Sequence, residues 1–124
     1  MSFLSADTLS PLLRLLSPRP AQPLERALLS DRGLAFDVHP IGARPDVASA
    51  VYAFAHRYGE GWWVLYLGAT VDGLAARLAR HHKLGAAIGR GATHLLVRAT
   101  VPYLTFDEHA GLVRELAPPL NDRF

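Results

Sequence analysis

The chain contains no cysteine. That absence removes disulfide frameworks, thiolate zinc sites and cysteine nucleophiles, and it suits a cytoplasmic home. Charged residues make up only 19% of the sequence. No apolar run approaches the roughly 18 residues that a membrane span requires, so no membrane partner is expected. The opening Met1-Ser2-Phe3-Leu4 has no basic stretch, and no secretory signal is expected from it. Acidic residues are missing in the most telling way. None occurs between Asp72 and Asp107, a stretch that holds Arg77, Arg80, Lys83, Arg90, Arg98, His81, His82 and His94. A net charge of +2 says little by itself, but a continuous positive segment is the footprint a phosphate backbone selects. The competing expectation is that carboxylates from elsewhere in the fold neutralise it.

What is present is enough for a single core. Hydrophobic residues make up 50% of 124, which supports one domain of ordinary size and not two. Residues 1–45 differ from the rest. Leu9, Leu12, Leu13, Leu15 and Leu16 suggest a short apolar helix with Pro11 in its first turn, and Ser17-Pro18-Arg19-Pro20 breaks it. Pro23 suits the start of a second helix, with Leu24, Ala27 and Leu28 on one stripe and Gly33 as its stop. Leu34–Val38 alternates like a strand, and Pro40, Gly42 and Pro45 mark a loop. The expectation is an N-terminal helical extension over 1–45, packed on the same domain as 46–124. Its leucines are also a candidate surface for a homodimer or a targeting partner.

From Val51 the pattern becomes β. Val51–Tyr58 and Trp62–Leu67 flank Gly59-Glu60-Gly61, a hairpin signal. Pairing about Glu60 sets Tyr66 opposite Phe54 and diagonal to Tyr52, so two tyrosines converge at one end, unless they are simply strand aromatics. A helix is expected over Asp72–Lys83, with Leu74, Arg77, Leu78 and His81 along one stripe. An arginine on a core-facing edge must snorkel outward, pair with a carboxylate or bind an anion such as phosphate. Thr93–Thr100 reads as a third strand. Thr105 to Glu108 forms a capping-box sequence opening a last helix that carries His109, Leu112, Val113 and Leu116, and Pro118-Pro119 ends it. Trp62 and Trp63 suit core positions or base stacking. His39 and His56 are expected at the surface, and His82 facing solvent or phosphate. The fold class expected is α+β, a small three-stranded antiparallel sheet flanked by helices.

The order hairpin, helix, strand, helix carries residues that resemble the GIY-YIG nuclease superfamily. Ala50-Val51-Tyr52 stands where the family has Gly-Ile-Tyr, and Tyr66-Leu67-Gly68 stands for Tyr-Ile-Gly. Arg77-Leu78 with His81 is similar to its Arg-Leu-x-x-His helix, and Leu112-Val113, Pro118 and Leu120-Asn121 to its closing pattern. The resemblance covers residues 50–121. It implies a DNA endonuclease using one Mg²⁺ or Mn²⁺ ion. Tyr52 and Tyr66 would stand near the attacking water, and Arg77 with His81 at the phosphate. Arg80, Lys83 and Arg90 are candidates for the nucleic-acid backbone, and Gly68 and Asn121 for structural roles. Three departures stand out: Ala50 replaces the glycine, one residue is added between Gly68 and Arg77, and the metal-binding glutamate position falls on His109. Glu108 or His109 is therefore the candidate metal ligand. Glu108 has a capping role as its alternative. His109 has proton transfer or a core position, and imidazole suits zinc, copper or iron better than magnesium. A binding module that has kept this fold but lost cutting, and a protein-interaction domain, are the other functional expectations.

Overall fold

The computed structural model describes residues 22–122, so the first expected helix, with its leucine-rich surface, lies outside the described residues. Eight elements follow one another: β1 Glu25–Leu29, β2 Leu34–Pro40, β3 Ala50–Tyr58, β4 Gly61–Thr70, α1 Leu74–Ala79, α2 Leu84–Gly89, β5 His94–Ala99 and α3 Pro102–Leu116. The strands form one antiparallel sheet in the order β1-β2-β5-β3-β4. The architecture is mixed α+β, and the three-stranded sheet expected from the sequence is corrected to five strands.

The correction comes from residues 25–40. The helix expected from Pro23 is instead the outer strand β1, which turns through Ser30 (φ 72°) and Gly33 (φ 65°) into β2. Ala27 and Leu29 face the core, while Leu24 and Leu28, counted as part of a helical stripe, are 60% and 67% exposed. Glu-Arg-Ala-Leu-Leu suits a helix by propensity. The decisive term is non-local: β2 pairs with β5, and β1 then completes a hairpin that covers Phe36 and Val38. Residues 25–40 thus belong to the main sheet, not to a helical extension.

β3 is the centre of the molecule, and Ala50–Ala55 are all 0% exposed because both faces of the sheet are covered. Val51, Ala53 and Ala55 pack with Leu67, Leu96 and Leu112 beneath α3. Ala50, Tyr52 and Phe54 pack with Leu74, Leu78 and Ala87 from α1 and α2. Period-two alternation sends successive side chains to opposite layers, so an unbroken apolar run is what a two-sided strand needs.

The helices differ from expectation in extent. The single helix over 72–83 is split: α1 stops at Ala79, and a turn through His81 and His82 leads into α2, which the sequence pattern did not suggest. α3 begins at Pro102, whose missing N–H costs nothing at the first helical position, with Val101 as N-cap. Thr105 therefore lies inside the helix and is no cap. Its hydroxyl donates to the Val101 carbonyl (3.1 Å) and pairs with Thr100 Oγ1 (2.7 Å). Glu108 consequently has no capping role. His39 is also corrected, from surface to 3% exposed. Burial pushes its pKa down, against the raising effect of Asp37. Among the described residues no helix is long and apolar enough to cross a membrane.

Candidate phosphate-binding site at the edge of β4

The site begins with the hairpin. A two-residue turn at Gly59 (φ 59°) and Glu60 pairs Tyr58 with Gly61, and a bulge between Phe54 and Ala55 then shifts the register, leaving Leu65 unpaired. The shift restores Tyr66 opposite Phe54 and sets Tyr52 opposite Gly68. Glycine is required there. A Cβ on Gly68 would lie 2.3 Å from Tyr52 Cζ and 2.4 Å from its hydroxyl oxygen, so the bare backbone forms the slot in which the ring lies.

α1 and the turn after it meet that hydroxyl. His81 Nε2 is 2.7 Å from Tyr52 Oη, and Arg77 Nε donates to the same oxygen at 3.4 Å. The direction of the histidine bond follows from its other nitrogen. The Lys83 backbone N–H donates to His81 Nδ1 (3.1 Å), so the neutral ring carries its proton on Nε2 and donates it to Tyr52. Tyr52 thus receives two donors and is itself 0% exposed. Burial holds its phenol neutral, pushed up to about 12 despite the opposing Arg77 bond. Tyr52 orients Arg77 and His81 from behind. The more accessible tyrosine is Tyr66, half-buried, its hydroxyl pushed up by burial and drawn back by Arg77 and Lys83.

His81 is lowered to about 4, first by burial and then by the charges of Arg77, His82 and Lys83. A histidine that binds its proton less readily folded than unfolded stabilises the fold above its ordinary pKa near 6.5, and that stability is lost as pH falls toward 4. Denaturant titrations should show a loss of roughly 2 kcal/mol over this window, after discounting for the ring's partial exposure. The His81→Gln variant should lack this component. An identical acid limb in both proteins would refute the assignment.

Tyr66, Gly68 and Arg77 open onto a groove of about 540 Å³ that wraps the β4 edge. Arg77, His82 and Lys83 form one wall, and Phe106, His109 and Arg114 of α3 form the other. Arg77 also lines a smaller hollow with Arg80, His81 and His82. Not every cation of the positive segment is free. Arg98 is held by Glu108, and Lys83 pairs with Asp122 at 3.3 Å. Arg90 is exposed at the end of α2, beside neither cavity.

The two candidate metal ligands part company. Glu108 turns to β5, where Arg98 Nε donates to it at 2.8 Å while Arg98 also reaches the Ala35 carbonyl. His109, one residue and about 100° further round the helix, turns to the groove. Its Nε2 donates to the Leu67 carbonyl at 3.1 Å. A single magnesium site wants oxygen ligands, commonly a carboxylate. Glu108 is held by Arg98, Asp122 lines the groove and pairs with Lys83, and among the described residues no group of three His, Asp or Glu side chains is gathered for a metal. α3 itself therefore offers the groove an imidazole and no carboxylate for the Mg²⁺ or Mn²⁺ ion that the family resemblance implies.

Asn121 closes the edge. Its side chain accepts from Leu67 N–H and donates to Leu67 C=O, both at 2.8 Å, and Leu120 N–H adds a bond to Leu65 C=O at 2.9 Å. The chain end thereby satisfies the rim strand beside the groove. Asn121→Ala leaves the Leu67 amide unpaired and should cost about 2 kcal/mol in urea unfolding; a change below about 0.5 kcal/mol would show that water replaces the amide.

The hairpin, α1 and its following turn therefore bring together Tyr52, Tyr66, Gly68, Arg77, His81 and Lys83, with His109 and Asn121 on the far wall, whereas Glu108 and Arg90 stand apart. Sequence reasoning did not find the contributions of Phe106, Arg114 and Asp122, although Arg114 lies one helical turn beyond Ala110, which also lines the groove. Trp62 lies beneath the Arg57 guanidinium (4.8 Å), and Trp63 is 56% exposed, so neither is a fully buried core residue. No protein-family model, no curated protein and no solved structure matches this chain.

Proposed function

We propose that this chain is an endonuclease of the GIY-YIG type that engages a DNA phosphodiester in the groove beside β4. One observation carries the reading: Arg77 and His81 converge on the buried Tyr52 hydroxyl, directly behind the groove that Tyr66 lines. A structural core has little use for an exposed arginine aimed by a buried tyrosine, whereas phosphoryl transfer needs positive charge held in place before the transition state forms. In this reading Arg77 meets the non-bridging oxygens and the Tyr66 hydroxyl orients the attacking water. Lys83, Arg80 and Arg114 draw in the backbone. Target choice falls to a partner or another segment, and a cysteine-free chain suits a cytoplasmic setting.

A second reading, a nucleic-acid-binding module that no longer cuts, is favoured by the engagement of Glu108 with Arg98. Supercoiled, single-stranded and branched DNA, incubated at low salt with Mg²⁺, Mn²⁺ or EDTA, separates the two. Cleavage by the native protein that is lost in Arg77→Ala supports the endonuclease. Salt-sensitive binding without cleavage supports the module, and neither binding nor cleavage overturns both.

A further inference from the structure

The substitution at the family's glutamate position leaves a different chemistry in its place. We propose that His109 acts as the general acid for the leaving oxygen, so that this groove cuts phosphodiesters without a divalent cation. The inference rests on the nuclease reading above.

Three observations lead to it. First, the helix carboxylate that could have held a metal is paired with Arg98 and turned to β5, away from the groove lining. Second, His109 lines the groove with its Nε2–H given to the Leu67 carbonyl, so Nδ1 is the nitrogen left to a bound ester. The same carbonyl is anchored by Asn121, so the imidazole is oriented by a rigid point of the sheet. A ring held this way gives up an Nδ1 proton and remains in the tautomer its partner already selects. Third, the groove that His109 lines is also lined by Tyr66 from β4, Arg77, His82 and Lys83 from the opposite wall, Arg114 from α3, and Asp122, which is paired with Lys83. This surplus of cations supplies the charge that a metal would otherwise bring to the phosphate.

The step balances with water alone. The water oxygen bonds to phosphorus, the bond from phosphorus to the leaving oxygen breaks, and that oxygen takes the Nδ1 proton of His109. The proton shed by the water returns to His109 through solvent, leaving a phosphomonoester and an alcohol.

Bridging sulfur provides the test, because a thiolate leaves without being protonated. DNA oligonucleotides carrying oxygen or sulfur at the 3′ or 5′ bridging position of one linkage are incubated with the full chain in EDTA. The comparison includes His109→Ala and His109→Gln, the latter keeping an amide donor for Leu67. The native protein should cut all-oxygen DNA at the same rate in EDTA as in Mg²⁺. Both variants should lose about 100-fold on it, yet cut one of the sulfur-bridged substrates within a few-fold of the native rate. Cutting abolished by EDTA overturns the proposal and leaves the nuclease reading standing. Equal loss on oxygen and sulfur substrates assigns His109 a structural role and also overturns it. Binding with no cutting of any substrate overturns both.

Discussion

Gly68→Ala should lower the stability of the protein by about 3 kcal/mol, a large share of what a domain of this size possesses. The added methyl would stand 2.3–2.7 Å from three atoms of the Tyr52 ring, closer than any real contact. Neither partner has room to yield. The glycine belongs to β4, paired with β3, and the tyrosine is enclosed by Phe54, Tyr66 and His81 with ring centroids 5.6–6.4 Å away. Urea unfolding of Gly68→Ala, Tyr52→Leu and the double variant would isolate the clash. Because leucine lacks the outer ring atoms, the double variant should recover about 2 kcal/mol relative to additivity. Tyr52→Phe should recover little, since Cζ remains. Strict additivity in the leucine background would mean that the strand, and not the ring, is what resists the methyl. Displacing Tyr52 also releases Arg77 and His81, so Gly68→Ala should weaken DNA binding even at temperatures where the fold survives.

Arg77→Ala should reduce cleavage by about 100- to 1,000-fold, the loss typical of one preorganised group facing transition-state charge. Stability should change by less than about 1 kcal/mol, since the residue is exposed and gives up one long hydrogen bond. Its charge is held by the bond to Tyr52, first among the effects that raise its pKa. Lysine should not substitute. The Nε–H that reaches Tyr52 and the fork left for a phosphate belong to one planar group, which an ammonium cannot reproduce. If the protein only binds, the same variant should reduce the slope of log affinity against log salt by about one. Native-like cleavage and an unchanged salt slope in Arg77→Ala would show that the phosphate lies elsewhere.

The local half of this molecule was legible in the sequence. Glycines at the turn, aromatics on either side and alternation located the hairpin, and even the Phe54–Tyr66 pairing, although the turn has two residues and a bulge supplies the compensating shift. Helical spacing placed Arg77 and His81 on one stripe, while the GIY-YIG resemblance set them with Tyr52 and put His109 at the glutamate position, leaving Glu108 and His109 both as candidates. The hairpin and the helical stripe depend on neighbours a few residues apart, and short-range periodicity encodes them directly.

What tertiary structure alone decided involves partners distant in the chain. Glu25–Leu29 has a helical composition but becomes a strand because Leu34–Pro40 pairs with His94–Ala99 and leaves its other edge to be covered. Glu108 looked available to a metal or a helix cap until Arg98, brought alongside by β5, claimed it. Tyr52 and Tyr66 were alike as candidates beside an attacking water, and only packing buries Tyr52 completely while Tyr66 lines the groove. Local pattern sets which direction a side chain points, whereas only the folded sheet determines which charge, or which solvent, it meets there.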